Sequence, residues 1–412
     1  SATLDELTSD IKETMVFANG SLTNVFKMEK EYEFYLVHLF TSSRDMFGSK
    51  KLGIEGISQG HMGNCFFVSM AGNLAFQNPD AIKNMIKTNE DGSTTELPTY
   101  FDYRTIHCNL QCISCGSLYS SKHASLYSEM WNSRPKMFPS GKEFVIDYGF
   151  EDSMAEEIVE CLDKRRLTKI YWAGGEPMMS GVHWKVVDKL LEIQSIDPTY
   201  IFSIFVHYNT NLTRLHWKGK IIPELLEFYQ PSIQASLDGT HETFEFCRDG
   251  ASWETVSNNW KEYHSRLNKR NQFGLSSIMS APVLMDIDRW FEFYEPYDPE
   301  LHSHKLFNHI NEDTQQGFLD IRLYPQHIFD RIIDHAIKRF EECSLRGKER
   351  TIAILKSYKL DKSNNRIYSD TKILKLLKKN WQYREKFLLG KHTFESLTAI
   401  IDPEVRDWYL SI

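Results

Sequence analysis

Residues 168–193 read TKIYWAGGEPMMSGVHWKVVDKLLEI, and the order of patterns within them decides the fold class. TKIYWAG (168–174) is a short, β-prone apolar run, and HWKVVDKLLEI (183–193) reads as a helix. Gly174-Gly175-Glu176-Pro177 is the turn between them. The same alternation extends in both directions. Toward the N-terminus, TYFDYRTI (99–106) reads as a strand that delivers the chain to three cysteines. EDSMAEEIVECLDKRR (151–166) is an amphipathic helix with Met154, Ile158 and Leu162 on one face, and Asp152 or Ser153 offers its cap. Toward the C-terminus, YIFSIFVHYNTN (200–211) reads as a strand and IPELLEFY (222–229) as a helix. PSIQASLDG (231–239) is a strand, SWETVSNNWKEYHSRL (252–267) a helix and FGLSSIMSAPVL (273–284) a strand. HKLFNHI (304–310) is the expected sixth strand.

Strands separated by helices of this length imply parallel βαβ units with right-handed crossovers. The expected fold is therefore α/β, a partial (β/α)6 TIM-like barrel. It carries a small N-terminal accessory segment over 1–97 and a helical C-terminal extension over 326–412, around a core over 98–325. In open α/β sheets ligands sit beyond the C-terminal strand ends, so the residues following each strand are the ones to watch. The cysteines, GGEP, NTN (209–211) and SLDG (236–239) all occupy such places. The N-terminal stretch KLGIEGISQGHMGNCFFVSMAGNLAF has short apolar runs broken by glycine, in keeping with a small hairpin element.

Composition narrows the function class. With 41% apolar and 13% aromatic residues the chain can support a sizeable core, and its 412 residues suit one large unit with additions. No stretch reaches the length of a membrane span, and SATLDELTSD lacks the basic and apolar regions of a signal peptide. A formal charge of -8 argues against a dedicated nucleic-acid binder. Seven cysteines, an odd count without a leader, argue against a disulfide framework and for the reducing cytoplasm.

Three of those cysteines form Cys108-Asn-Leu-Gln-Cys112-Ile-Ser-Cys115. Three thiolates on a short loop can take three corners of a 4Fe–4S cube and leave one iron open. With His107 or His123 as a fourth ligand the spacing also allows a structural zinc, the weaker of the two readings. The turn GGEP has its own two readings. Paired glycines let a backbone approach a ligand closely, with Glu176 accepting from an ammonium. The turn also fits a plain strand–helix connection with Pro177 as the first helical residue.

CxxxCxxC followed by GGEP, each after successive strands, resembles the radical S-adenosylmethionine superfamily, and more narrowly its Twitch and SPASM branch. The matching runs are FDYRTIHCNLQCISC, IYWAGGEPMMS, YNTNLT, QASLDGTHETFEFCRDGASWE and FLDIRLYPQHI, spanning roughly 98–330. The resemblance implies that Cys108, Cys112 and Cys115 ligate a 4Fe–4S cluster whose free iron takes the amino and carboxylate groups of S-adenosylmethionine. It implies that Gly174, Gly175 and Glu176, with Pro177 completing the motif, hold the methionine ammonium. Ser236 and Arg248 would contact the carboxylate, a role suited to a guanidinium fork. Asn209 and Asn211 would reach the ribose or substrate, and Asp238 the ribose or substrate orientation. SLDG and NTN also fit an Asp-Gly turn and a helix cap.

The chain departs from such enzymes in two ways. Ser114 stands before the third cysteine, where a large apolar residue is usual, so adenine stacking is expected from elsewhere. Cys161, Cys247 and Cys343 read as buried apolar cysteines, and only Cys65, near His61, lies in an irregular loop. No auxiliary cluster is therefore expected, and residues 1–97 are at most a degenerate Twitch-like element. The implied partners are a one-electron donor such as flavodoxin or ferredoxin, and a peptide or protein substrate. A carbohydrate or small metabolite is the alternative substrate, and a non-catalytic metal-binding module is the alternative class. The aromatics Tyr103, Trp131, Trp172, Tyr208 and Trp253 read as core and rim packing, and no residue is singled out as catalytic.

Overall fold

The computed structural model describes residues 148–268, 273–304, 319–364 and 371–412, the stretches 107–115, 120–123 and 125, and five strands before them. Those strands are β1 (Val16–Ala18), β2 (Ser21–Asn24), β3 (Lys87–Thr88), β4 (Thr94–Glu96) and β5 (Thr99–Thr105). β1 pairs with β2, and β3 with β4, both antiparallel. His61, Cys65 and Trp131, and most of the segment expected to form an accessory element, lie outside the described residues.

From residue 148 onward the chain alternates as its sequence pattern implies. Helix α1 (Tyr148–Asp163) leads to β6 (Leu167–Gly174), α2 (Gly181–Gln194), α3 (Pro198–Ser203) and β7 (Phe205–Thr210). After β7 come β8 (His216–Trp217), β9 (Lys220–Ile221), α4 (Ile222–Leu226) and β10 (Ser232–Ser236). Then follow α5 (His241–Cys247), α6 (Trp253–Leu267), β11 (Phe273–Ile278), α7 (Ala281–Met285), α8 (Ile287–Tyr294) and β12 (Glu300–His304). The six longer strands form one sheet in the order β12-β11-β10-β7-β6-β5. Its β10–β11 and β11–β12 ladders are parallel, with Ser236 opposite Ser276 and Ser276 opposite His302. This is the α/β fold of a partial (β/α)6 TIM-like barrel, extended by the helices α9 (Gln326–Glu342), α10 (Lys348–Asn364), α11 (Thr371–Glu385), α12 (Phe394–Ile401) and α13 (Pro403–Ser411).

Two runs differ from the sequence expectation, each for a local reason. The run 200–211 is not one strand: α3 occupies its start, because Asp197 caps Tyr200 N–H (3.1 Å) and Pro198 pre-sets the first helical turn. The run 273–284 likewise ends as a strand at Ile278, and Pro282 helps open α7. The last described strand is Glu300–His304, which takes in His304 of the expected 304–310; residues 305–310 lie outside the described residues. Cys343 caps the end of α9 and is buried.

The chain divides into two compact units. One comprises Ser1–Thr105, Val145–Ala173 and Met179–His207, and the other Ile106–Phe144, Gly174–Met178 and Tyr208–Ile412. In the first, Trp172 is fully buried and meets His183 edge-on (5.0 Å). In the second, α6 turns Trp253, Val256, Trp260, Tyr263 and Leu267 inward at helical spacing. Trp260 packs on Phe273 (4.9 Å) and Tyr294 (5.2 Å). Tyr208 is also fully buried, so these aromatics are core, as their pattern implies. No helix among the described residues is long and apolar enough to cross a membrane.

Candidate functional site

Every residue singled out from the sequence as a site candidate falls in the second unit. Its centre is the cysteine loop. Cys108 and Cys112 are buried with Leu110 in one cluster, against which Cys115 and Ala251 pack. The backbone of the loop is fastened on several sides. Gln111 N–H donates to Asp249 O (2.9 Å) and Ile113 N–H to Cys247 O (3.0 Å), both just at or beyond the end of α5. Ser120 Oγ donates to Leu110 O (3.1 Å), and Cys108 N–H donates to Ser121 Oγ (3.3 Å). Cys115 N–H closes a turn onto Cys112 O (3.0 Å).

Burial pushes the Cys108 thiol up to about 11, with Cys112 adding to the rise, and it raises Cys112 as well. Without a cation both thiols are neutral near pH 7; a metal centre would deprotonate them on binding. His123, a possible fourth zinc ligand, turns Nε2 onto Cys112 O (2.7 Å) and is held neutral by burial, its pKa lowered to about 4. Among the described residues no three His, Cys, Asp or Glu side chains stand as a ready metal-ligand set. The donor chemistry of the loop nonetheless fits a 4Fe–4S cluster: three thiols of one loop share one patch, and a guanidinium lies beside Cys112.

GGEP stands against this loop. Gly174 has φ 97°, which glycine adopts without strain. A Cβ at Gly175 would lie 2.3 Å from His107 O, so the second glycine is required by close backbone approach. Glu176 N–H donates to the same carbonyl (2.7 Å), which locks the turn to the residue before Cys108. The Glu176 side chain is fully buried. Its carboxylate accepts from Met178 N–H (3.1 Å), Asn211 N–H (2.7 Å) and Thr210 Oγ1 (2.9 and 3.0 Å to its two oxygens). Burial outweighs those donors and pushes its pKa up to about 7. The carboxylate expected to meet a ligand ammonium is thus engaged by three protein donors, and it ties the end of β6 to the end of β7. Pro177 opens a 3-10 turn, Pro177–Met179, and not a helix.

Of the NTN and SLDG residues, Asn211 touches the loop directly and Asp238 reaches it through Arg248. Asn211 Nδ2 donates to Asn109 Oδ1 (3.2 Å), inside the cysteine loop, and its own Oδ1 accepts from Thr213 Oγ1 (2.6 Å). Asn209 and Ser236 are half-buried at the ends of β7 and β10. Asp238 Oδ1 accepts from Ile278 N–H (2.7 Å), and Oδ2 pairs with Arg248 Nε at 2.8 Å. Arg248 Nη1 points at Cys112 Sγ (3.7 Å), so this arginine bridges a buried carboxylate and a cysteine of the loop. The residues missed from sequence are Asn109, Thr210, Asp249 and Arg384, together with the pair His304 Nε2 and Ser276 Oγ (3.0 Å). The first three each lie beside a residue already singled out; Arg384 gives no sequence signal, since its contact to the loop is 273 residues away.

No family model matches the chain, and no curated protein does. Among solved structures it is similar to native anSMEcpe with bound AdoMet, at 14% identity over 60% of this chain and 62% of that one, with a TM-score of 0.37. It is also similar to Streptococcus suis SuiB bound to precursor peptide SuiA, at 12% identity over 79% and 66% of the two chains, TM-score 0.36. SuiB bound to S-adenosylmethionine matches at 13% identity over 81% and 70%, TM-score 0.34. The chain spans about three fifths of the length of the first of these. In its CxxxCxxC loop, its GGEP turn and the strand ends that carry them, the chain resembles the radical S-adenosylmethionine enzymes.

Proposed function

We propose that the chain is a radical S-adenosylmethionine enzyme that modifies a C–H bond of a peptide or protein. The observation that carries this reading is the junction of the two motifs: Gly175 and Glu176 lie directly on His107 O, at the root of the three-cysteine loop. A lone cysteine loop supports any thiolate-bound metal, whereas a glycine turn locked to it presents the backbone that a bound amino acid moiety needs. The peptide substrate rests on the sequence resemblance to the Twitch and SPASM branch.

Cys108, Cys112 and Cys115 would hold the 4Fe–4S cluster. When bound, it would supply the electron for reductive cleavage of S-adenosylmethionine, the source of a radical able to take a hydrogen atom from a substrate. The protein's part is positioning and exclusion of water. Glu176 fixes the relative placement of the GGEP and NTN strand ends, and Arg248 presents a positive charge beside Cys112. A reductant of the flavodoxin or ferredoxin kind would deliver the electron, and the cytoplasm is the compartment such chemistry suits. Residues 98–325 would form the catalytic core, with 1–97 as an accessory segment and 326–412 as the extension.

Anaerobically reconstituted protein, given dithionite and S-adenosylmethionine, is expected to release 5′-deoxyadenosine, and Cys112→Ala to release none. Full product from the variant, or none from the wild type despite a loaded cluster, would sink the assignment.

A further inference from the structure

We propose that the C-terminal helical extension is part of the cysteine-loop site, with Arg384 and Asp249 as positioning residues that clamp the loop at Gln111. The residue before Cys112 has both main-chain groups taken by this clamp. Its N–H donates to Asp249 O (2.9 Å), and its C=O accepts from Arg384 Nη2 (3.2 Å) in the last turn of α11. The Asp249 side chain in turn holds the chain that follows α11, accepting from Leu389 N–H (3.0 Å) and Gly390 N–H (2.6 Å). Gln111, Asp249 and Arg384 are all buried.

Packing fastens the same region. Phe246 of α5 meets Trp381 of α11 (5.6 Å) and Phe394 of α12 (6.2 Å). Gly250, at φ 93°, brings the chain so close that a Cβ would sit 3.2 Å from Leu389 Cδ1 and 3.8 Å from Asn109 O. A helix more than two hundred residues downstream therefore fixes the peptide planes that aim Cys112. A buried guanidinium donating to a carbonyl is among the stronger single hydrogen bonds a fold can place there.

The proposal rests on the reading of the loop as a cluster site, but its test does not use the cluster. In metal-free protein, alkylation of Cys108 and Cys112 under native conditions reports local opening of the loop. Cys161 and Cys343, buried on other elements, serve as internal references. Arg384→Met is expected to speed labelling of Cys108 and Cys112 about tenfold or more while leaving the reference thiols unchanged. Arg384→Lys, which retains a donor, should recover most of the protection. Arg331→Met, which removes the Arg331–Asp402 pair elsewhere in the extension, should have no such selective effect. Unchanged labelling in Arg384→Met, or an equal rise at all four cysteines, overturns the proposal. Should Arg384→Met fail to fold, Leu389→Pro, which deletes one N–H held by Asp249, provides the same selective comparison.

Discussion

The charged residues nearest the cysteines are defined by what burial does to them. Arg248 and Asp238 form a pair whose side chains are 12% and 3% exposed, with Cys112 Sγ on the far side of the guanidinium. Removing one member strands the other charge in a low-dielectric interior. Arg248→Met is accordingly expected to destabilise the metal-free protein by about 3–5 kcal/mol in chemical denaturation. Adding Asp238→Asn should recover part of that loss, because the orphaned charge goes with it; strictly additive losses would count against a coupled pair. Glu176 differs in sign. Its pKa rises on folding from an ordinary 4.5 to about 7, chiefly through burial. The native state thus holds the proton more tightly than the unfolded chain. The stability this group contributes is complete below pH 4.5 and is lost as pH rises through 7. Wild type should lose about 3 kcal/mol relative to Glu176→Gln between pH 4.5 and pH 8. A stability difference that stays flat across that range would show that the three donors, and not burial, set the protonation of this carboxyl.

At the scale of elements, the sequence was readable wherever one local signal governed. A short β-prone apolar run placed β6, and the face of Met154, Ile158 and Leu162 placed α1. It misled where two signals met in one run. In 200–211 the β-rich residues hid Asp197-Pro198, a helix start that converts the first half to α3. The site followed the same rule. The cysteines and GGEP are contiguous motifs, whereas the Arg384 contact depends on packing between elements distant in sequence. The two glycines of the β6–α2 connection test this distinction. Gly175→Ala places a methyl 2.3 Å from His107 O and should cost about 1–3 kcal/mol while loosening the cysteine loop. Gly181→Ala, at the start of α2 with nothing within 4 Å of its Cβ, should be neutral or stabilising by up to about 1 kcal/mol. Thermal melts of the two variants side by side measure both expectations, and equal losses would mean that close approach is not what requires glycine at 175.

Across the whole molecule, the distribution of thiols limits how much metal chemistry the chain can run. Among the described residues, Cys161 lies on α1, Cys247 at the end of α5 and Cys343 after α9, at 2%, 1% and 6% exposure. Each packs as an apolar residue on a different element, and Cys343 Sγ is turned onto Phe340 O (3.3 Å). Burial raises Cys247 and Cys343, and Cys247 most strongly, which opposes the thiolate form that a ligand must take. Ligands scattered this way cannot converge on a second cluster without rebuilding the helices that hold them. Carefully reconstituted protein is therefore expected to bind about four irons and about four sulfides per chain. Cys161→Ser and Cys343→Ser should leave that count unchanged, whereas Cys112→Ala should lower it to near background. Iron and labile-sulfide assays on the same preparations decide the matter: a count near eight, or a drop on replacing Cys161 or Cys343, would mean that a second cluster is present.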